Sequence, residues 1–272
     1  LIAVVVLGSG VVFGALAWVV RRLVPVDALR RHHEMGAAVF LQLGVVFAVL
    51  LAFVFNEVWN EYNTAAQAIN GECGSLHGAA ILADSLPEPG RGQIEQAMRA
   101  YVAAVIGTEW REMAERRKSE DASALFEAML TTAARVPTAA DPERTLKPPI
   151  IELLASAHQQ RETRLFQLTL GIPRLVWCLL GLLSLVLISF LFAFGIDYVA
   201  SQVAFVAVFA AMLTFALLTV RLLDFPFEGP LRLPPTDFQS TLAHVDHLIA
   251  AGPARRPSRE GELHMLFKPT RP

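Results

Sequence analysis

The chain reads as an all-α integral membrane protein, with four transmembrane helices and a helical extramembrane section between spans two and three. Three observations predict this class. Apolar residues fill 54 % of the 272 positions and charged ones only 18 %, and the mean hydropathy of +0.46 lies well to the hydrophobic side of a soluble domain. Four uncharged apolar runs are each long enough to cross a hydrocarbon core. Between the second and third runs lie about 120 residues too polar to enter lipid, with largely helical patterning.

The first run, Leu1–Val20, ends in Arg21-Arg22. Its small triplet Ala15-Leu16-Ala17 resembles a signal-peptidase site. No basic n-region precedes it and the apolar run continues past it to the double Arg, so a span is expected rather than a cleaved leader. The second run, Met35–Phe55, covers about 30 Å as a helix. It passes without a Pro into NEVWNEYNTAAQAINGEC, so the helix is expected to leave the bilayer and continue toward Pro87, with Asn70-Gly71, Gly74 and Gly78 as weak points.

Pro87–Gly92 reads as a turn, and Gln93–Lys118 and Asp121–Val136 as helices, the second capped by Asp121. Pro137–Pro149 reads as a loop. From Ile150 the pattern is helical again and is expected to run straight into the third span, with Pro173 kinking it at the membrane surface. Leu175–Ile196 and Tyr198–Val220, separated by Asp197 next to Gly195, form a tight transmembrane hairpin. After a Pro-rich piece, Pro230–Pro235, comes a short amphipathic helix. Its Phe238, Leu242, Val245, Leu248 and Ile249 cover one side, which is expected to pack on the soluble helices or the bilayer surface. Beyond Gly252 disorder is expected. The organisation is therefore spans one and two over 1–55, the helical section over 56–173, spans three and four over 174–223, and a C-terminal segment over 224–272.

Several function classes are excluded. A net charge of −2 and no basic stripe argue against a nucleic-acid partner. Cys73 and Cys178 form no metal or redox motif and read as free thiols. His32-His33-Glu34 and His244-x-x-His247 lack the third ligand that zinc needs and read as exposed histidines, so no metal or cofactor is expected. Gly8-Ser9-Gly10 lies inside a transmembrane run without the strand of a nucleophile elbow, and no other catalytic motif is present, so no enzyme is expected.

The sequence is most informative where span two leaves the membrane. From His32 to Gly90 there is no Lys or Arg, while Glu57, Glu61 and Glu72 fall on one helical face. Around a common axis, Glu57 and Glu61 become rings of carboxylate that concentrate cations, and Asn56 and Asn60, with Asn63, offer amide oxygens in place of hydration water. The competing explanation is a solvated helix face. Phe47 and Phe53 are the candidate gates, Phe53 lying one turn inside Glu57. Gly36, Gly44, Ala48 and Ala52 on the same span permit close helix approach. Trp59 and Tyr62 read as headgroup-level anchors, and Arg221 as a helix-end partner of Asp224. Arg21, Arg22, Arg30 and Arg31, set against no basic residue after span two, place the helical section on the outer side by the positive-inside rule. Arg161, Arg164, Arg174 and Arg221 count the other way.

Trp59-x-x-Tyr62, Glu72 followed by Leu76, Leu86-Pro87, Tyr101-Val102, Arg161-x-x-Arg164-Leu165 and Asp224-x-Pro226-Phe227-x-Gly229 occur in this order over Phe40–Phe238. In these motifs the chain resembles bacterial membrane proteins with a bestrophin-like domain. Cys73 stands where that family has Ala. A more remote architectural likeness to bestrophins implies ring-shaped channels with four spans per subunit, in a bacterial inner membrane. The expected function is thus an oligomeric, cation-preferring ion channel of four or five copies, lined by span two, with the lipid bilayer and inorganic ions as partners. The alternative is a non-conducting membrane scaffold or sensor whose helical section binds a partner.

Overall fold

A computed structural model describes residues 2–25, 33–137, 141–194, 196 and 198–251. Arg30, Arg31, His32, Gly195, Asp197 and the stretch from Gly252 onward lie outside the described residues. The helices are α1 (Ile2–Leu23), α2 (His33–Ala83), α3 (Gly90–Ala104), a wide π-turn (Val105–Glu109), α4 (Trp110–Ala114), α5 (Glu120–Arg135), α6 (Asp141–Phe166), α7 (Arg174–Ala193), α8 (Val199–Leu223) and α9 (Thr236–Ala251). Four of them, α1, α2, α7 and α8, are long and apolar enough to span a membrane. Helix α2 runs for 51 residues through Gly71, Gly74 and Gly78 without a break.

The described residues fall into two compact units, 1–66 with 166–233 and 67–165 with 234–272. In the first unit, Phe47, Val54 and Val58 of α2 pack with Leu180, Leu187 and Ile188 of α7 and Ala210, Leu213 and Val220 of α8. Phe40 meets Phe194 edge-on at 5.4 Å. Gln202, buried near the start of α8, donates to the Phe192 carbonyl at 3.2 Å and so ties α8 to the end of α7.

Close helix approach within this unit is made by α1, not by the small residues of span two. Gly10, Gly14 and Ala17 are the buried residues of α1, and a Cβ on Gly10 would lie 2.9 Å from the Ala207 carbonyl oxygen of α8. Ala48 and Ala52 are exposed, and a Cβ on Gly44 would meet nothing within 4 Å. Without a hydrophobic drive between helices in lipid, such backbone contact is what holds a transmembrane pair. The Arg21 guanidinium donates to the Ile196 carbonyl at 2.9 Å, fixing the end of α1 against the α7–α8 turn.

Helix α6 does not run into α7. Residues 167–173 are non-helical, and the Ile172 N–H, which a helix would use internally, donates to the Asp224 carboxylate at 2.8 Å. Pro173 then stands immediately before α7, where its fixed φ starts the next helix instead of kinking one. Asp224 therefore does not pair with Arg221, which lies over Phe225 at 4.2 Å and 3.9 Å from Glu228. Gly229 adopts φ +70°, a conformation that suits glycine, where the chain turns after buried Phe227.

In the second unit the expected loop Pro137–Pro149 is largely helical, since α6 starts at Asp141 and contains Pro148 and Pro149. These prolines remove two backbone donors in the third turn of the helix, and the neighbouring Lys147 ammonium donates to the Val136 carbonyl at 2.8 Å. Helix α5 begins after Ser119, not Asp121. The expected helix Gln93–Lys118 is interrupted by the π-turn. Helix α9 packs on α3 through Phe238, Thr241 and Val245.

The glycine contact in α1 generates a stability prediction. Gly10→Leu should destabilise the detergent-solubilised protein by about 1–3 kcal/mol, read as a fall in thermal midpoint. Gly8→Leu, at a position where an added Cβ meets nothing within 4 Å, should leave it unchanged.

Candidate functional site

Burial along α2 separates the residues singled out in the sequence. The side that packs into the first unit carries Phe47 (5 % exposed), Val54 and Val58. Phe47, expected as a candidate gate, is therefore packed against α7 and α8 and does not lie on the uncovered side of α2. Phe53 points the other way and is 71 % exposed. Asn56, Glu57 and Asn60 are exposed, and Glu61 and Asn63 are half-buried. Phe55, Trp59 and Tyr62 stack along another side, with centroids 6.4 and 6.3 Å apart, and the Tyr62 hydroxyl donates to the Leu231 carbonyl at 3.0 Å. The arrangement presents a ring, amides and a carboxylate together on the uncovered part of one helix.

Glu72 belongs to a different environment. In the second unit the face of α2 that exposes Glu57 is covered, and Glu72 is fully buried. Its place in an exposed acidic stripe is corrected accordingly. A carboxylate there needs compensation. The Arg164 guanidinium of α6 supplies it, with Nε 2.9 Å from Oε2 and Nη2 3.3 Å from Oε1. The Tyr101 hydroxyl of α3 donates to the same Oε1.

Arg164 Nη2 also lies 3.3 Å from Glu109 Oε2, and Arg161 Nη2 lies 2.6 Å from Glu109 Oε1 and 3.1 Å from the Ser123 hydroxyl. The Trp110 and Phe238 rings approach the Arg164 guanidinium at 5.6 and 5.2 Å. Two buried cations and two buried anions thus cancel. Burial and then the adjoining Glu72 charge push the Tyr101 hydroxyl well above the usual phenol range, so it stays a donor. Burial opposes the charged form of Arg164, but the Glu72 and Glu109 carboxylates outweigh it and hold the guanidinium protonated.

The π-turn is what delivers Glu109. Tyr101, Val105, Glu109 and Met113 all point inward at four-residue steps, a spacing that drifts around a regular helix of 3.6 residues per turn and is restored by one wider turn. The sequence motifs include Glu72, Tyr101, Arg161 and Arg164 but neither Glu109 nor Ser123. The one local signal was a Glu inside an otherwise apolar inward pattern.

His244 is not simply exposed. It is half-buried and packs against His77 with ring centroids 3.9 Å apart and the rings tilted by 31°. Burial, then the neighbouring His77 and His247, lower its tendency to take a proton.

Two predictions follow from these contacts. Arg164→Met leaves Glu72 and Glu109 buried without their shared cation and should cost about 3–5 kcal/mol, and Tyr101→Phe about 1–3 kcal/mol. Arg99→Ala, which breaks a 2.6 Å ion pair with Asp246 whose side chains are 54 % and 45 % exposed, should cost under about 1 kcal/mol; thermal unfolding reads all three. Because the His244 proton affinity is lower folded than unfolded, the unfolded chain takes up the proton first as pH falls below the ordinary value of 6.5. The stability His244 contributes is complete above that pH and lost below it. The thermal midpoint should drop between pH 7 and 5, and His244→Gln should flatten the drop.

Comparison with known proteins places the fold. The sequence model of the bestrophin-like domain family matches residues 8–238. A crystal structure of a bacterial bestrophin homologue from Klebsiella pneumoniae, a single-substitution variant, superposes with a TM-score of 0.67 at 12 % identity, over 90 % of this chain and 98 % of that one. Another structure of the Klebsiella pneumoniae homologue, solved by zinc anomalous phasing, gives 0.68 at 12 % identity over 91 % and 98 %. A structure described as that of a membrane protein gives 0.74 at 12 % identity over 91 % and 98 %. No curated protein matches the sequence.

Proposed function

The chain belongs to the bestrophin-like domain family, and on that premise we propose that it is an ion channel of the bacterial inner membrane, built from four or five copies around α2. The observation that carries the reading is the uncovered side of α2. Phe53 is 71 % exposed near the end of an apolar span, and Asn56, Glu57 and Asn60 follow it exposed. A polar line continuing a membrane span suits a water-filled axis better than lipid.

The channel prefers cations. Glu57 is exposed and Glu61 half-buried at the point where α2 leaves the bilayer. At about 10 Å and an effective dielectric near 20, each carboxylate contributes roughly 1.5 kcal/mol to a monovalent cation. Several copies multiply that field before salt screens it. Phe53 supplies an apolar ring one turn inside, where a constriction gates by losing water.

Reconstitution tests this. The solubilised particle should have the mass of four or five chains. In planar bilayers under a salt gradient, replacing Glu57 and Glu61 by Gln should move the reversal potential away from the cation limit by an amount equivalent to about 1–2 kcal/mol. A monomeric particle, or an anion-selective wild type, overturns the reading.

A further inference from the structure

A second regularity runs along α2 that neither the carboxylates nor the family explains. In the first unit Val46, Val49, Phe53, Asn56, Asn60 and Asn63 succeed one another by alternating steps of three and four residues, all exposed except the half-buried Asn63. On the part of α2 in the second unit, Gln67 and Asn70 keep the step and are exposed. A face repeating every 3.5 residues is one that a long helix can keep turned toward the common axis of a bundle. Up to Phe53 the line is apolar, and from Asn56 onward it is five amides in succession.

Solvation alone does not account for the amides. Asn is a poor helix former, because its side chain competes for the backbone. A helix face open to bulk water is ordinarily filled with Glu, Lys and Arg. Here charge is available next door but kept off the line. At 100° per residue, Glu57 and Glu61 lie about 90° and about 130° around the helix from the centre of the Asn56–Asn60–Asn63 line. Lipid does not explain the amides either, since each would leave donors and acceptors unpaired in hydrocarbon. An amide presents a neutral carbonyl oxygen to a cation and N–H groups to its remaining water. It can therefore share an ion's hydration shell without trapping the ion as a carboxylate would.

Resting on the channel reading above, we infer that Asn56, Asn60 and Asn63 form the wall that permeating ions touch. Three stacked rings of amides beyond Phe53 carry a hydrated monovalent cation, and Glu57 and Glu61 act on it through their field from beside that wall. Selectivity by sign and passage by contact are thus divided between two sets of residues on one helix.

The test uses the full chain with Cys178→Ala, since Cys178 is exposed and Cys73 buried. Single cysteines at positions 56, 60, 63 and 59 are reconstituted and treated with a cationic methanethiosulfonate. Current should fall by at least about fivefold for Asn56→Cys, Asn60→Cys and Asn63→Cys, and by less than about twofold for Trp59→Cys. In parallel, Asn60→Asp should raise, and Asn60→Lys lower, the cation-to-anion permeability ratio by at least about threefold. Conduction that is indifferent to modification at 56, 60 and 63, or equally sensitive at 59, overturns the amide wall and leaves the channel reading standing. A wild-type oligomer that passes no current overturns both.

Discussion

Two guanidinium groups without water constrain the helical section of this protein. Arg161 and Arg164 are 1 % and 0 % exposed, and each must find its counter-charge inside the fold. Glu109 answers both, and Glu72 takes the rest of Arg164 with Tyr101 as second donor. These four charges draw on α2, the π-turn and α6, so none of those elements can shift by a residue without stranding a charge in an apolar core. The π-turn itself follows from this demand, because an uninterrupted helix from Tyr101 would rotate Glu109 away from the arginines. Trp110 and Phe238 complete the enclosure, which gives α9 a defined seat.

The membrane unit obeys a different constraint. Lipid tails reward no apolar burial, so its contacts rest on close approach and on hydrogen bonds that hydrocarbon cannot replace. Gly10 and Gly14 bring α1 onto α8, Gln202 fastens α8 to the carbonyl end of α7, and Asp224 caps the free N–H of Ile172 where the chain enters α7. With these contacts made, the inward side of α2 is filled by Phe47, Val54 and Val58, and its opposite side is left uncovered. That division supports reading Phe53 and the amides, not Phe47, as the residues facing ions. It also separates Glu57 from Glu72, which the helical period alone groups together.

Local signals explain what could be read directly. Four apolar runs specify four spans because hydropathy needs no knowledge of partners, and the absence of Pro from Met35 to Leu86 specifies a helix that outlasts the bilayer. The side of α9 bearing Phe238 and Val245 follows from its period, as does the exposure of Asn56 and Asn60 from their place past the span. The helical start of α6 was hidden because its prolines read as a loop when only local propensity is weighed. The non-helical stretch before α7 was hidden because one of its N–H groups, that of Ile172, is satisfied by Asp224, 52 residues further along the chain.

By itself, then, the amino-acid sequence determined the all-helical membrane class, the length of α2 and the run of amides and carboxylates along it, since each depends on composition and short-range periodicity. Only the tertiary structure decided which of those side chains are covered. Glu72 meets Arg164 across 92 residues of chain, and Glu109 meets Arg161 across 52. No local pattern encodes that choice, because an isolated helix presents every carboxylate to water equally. Packing of the other helices is what removes water from one and leaves it on the next.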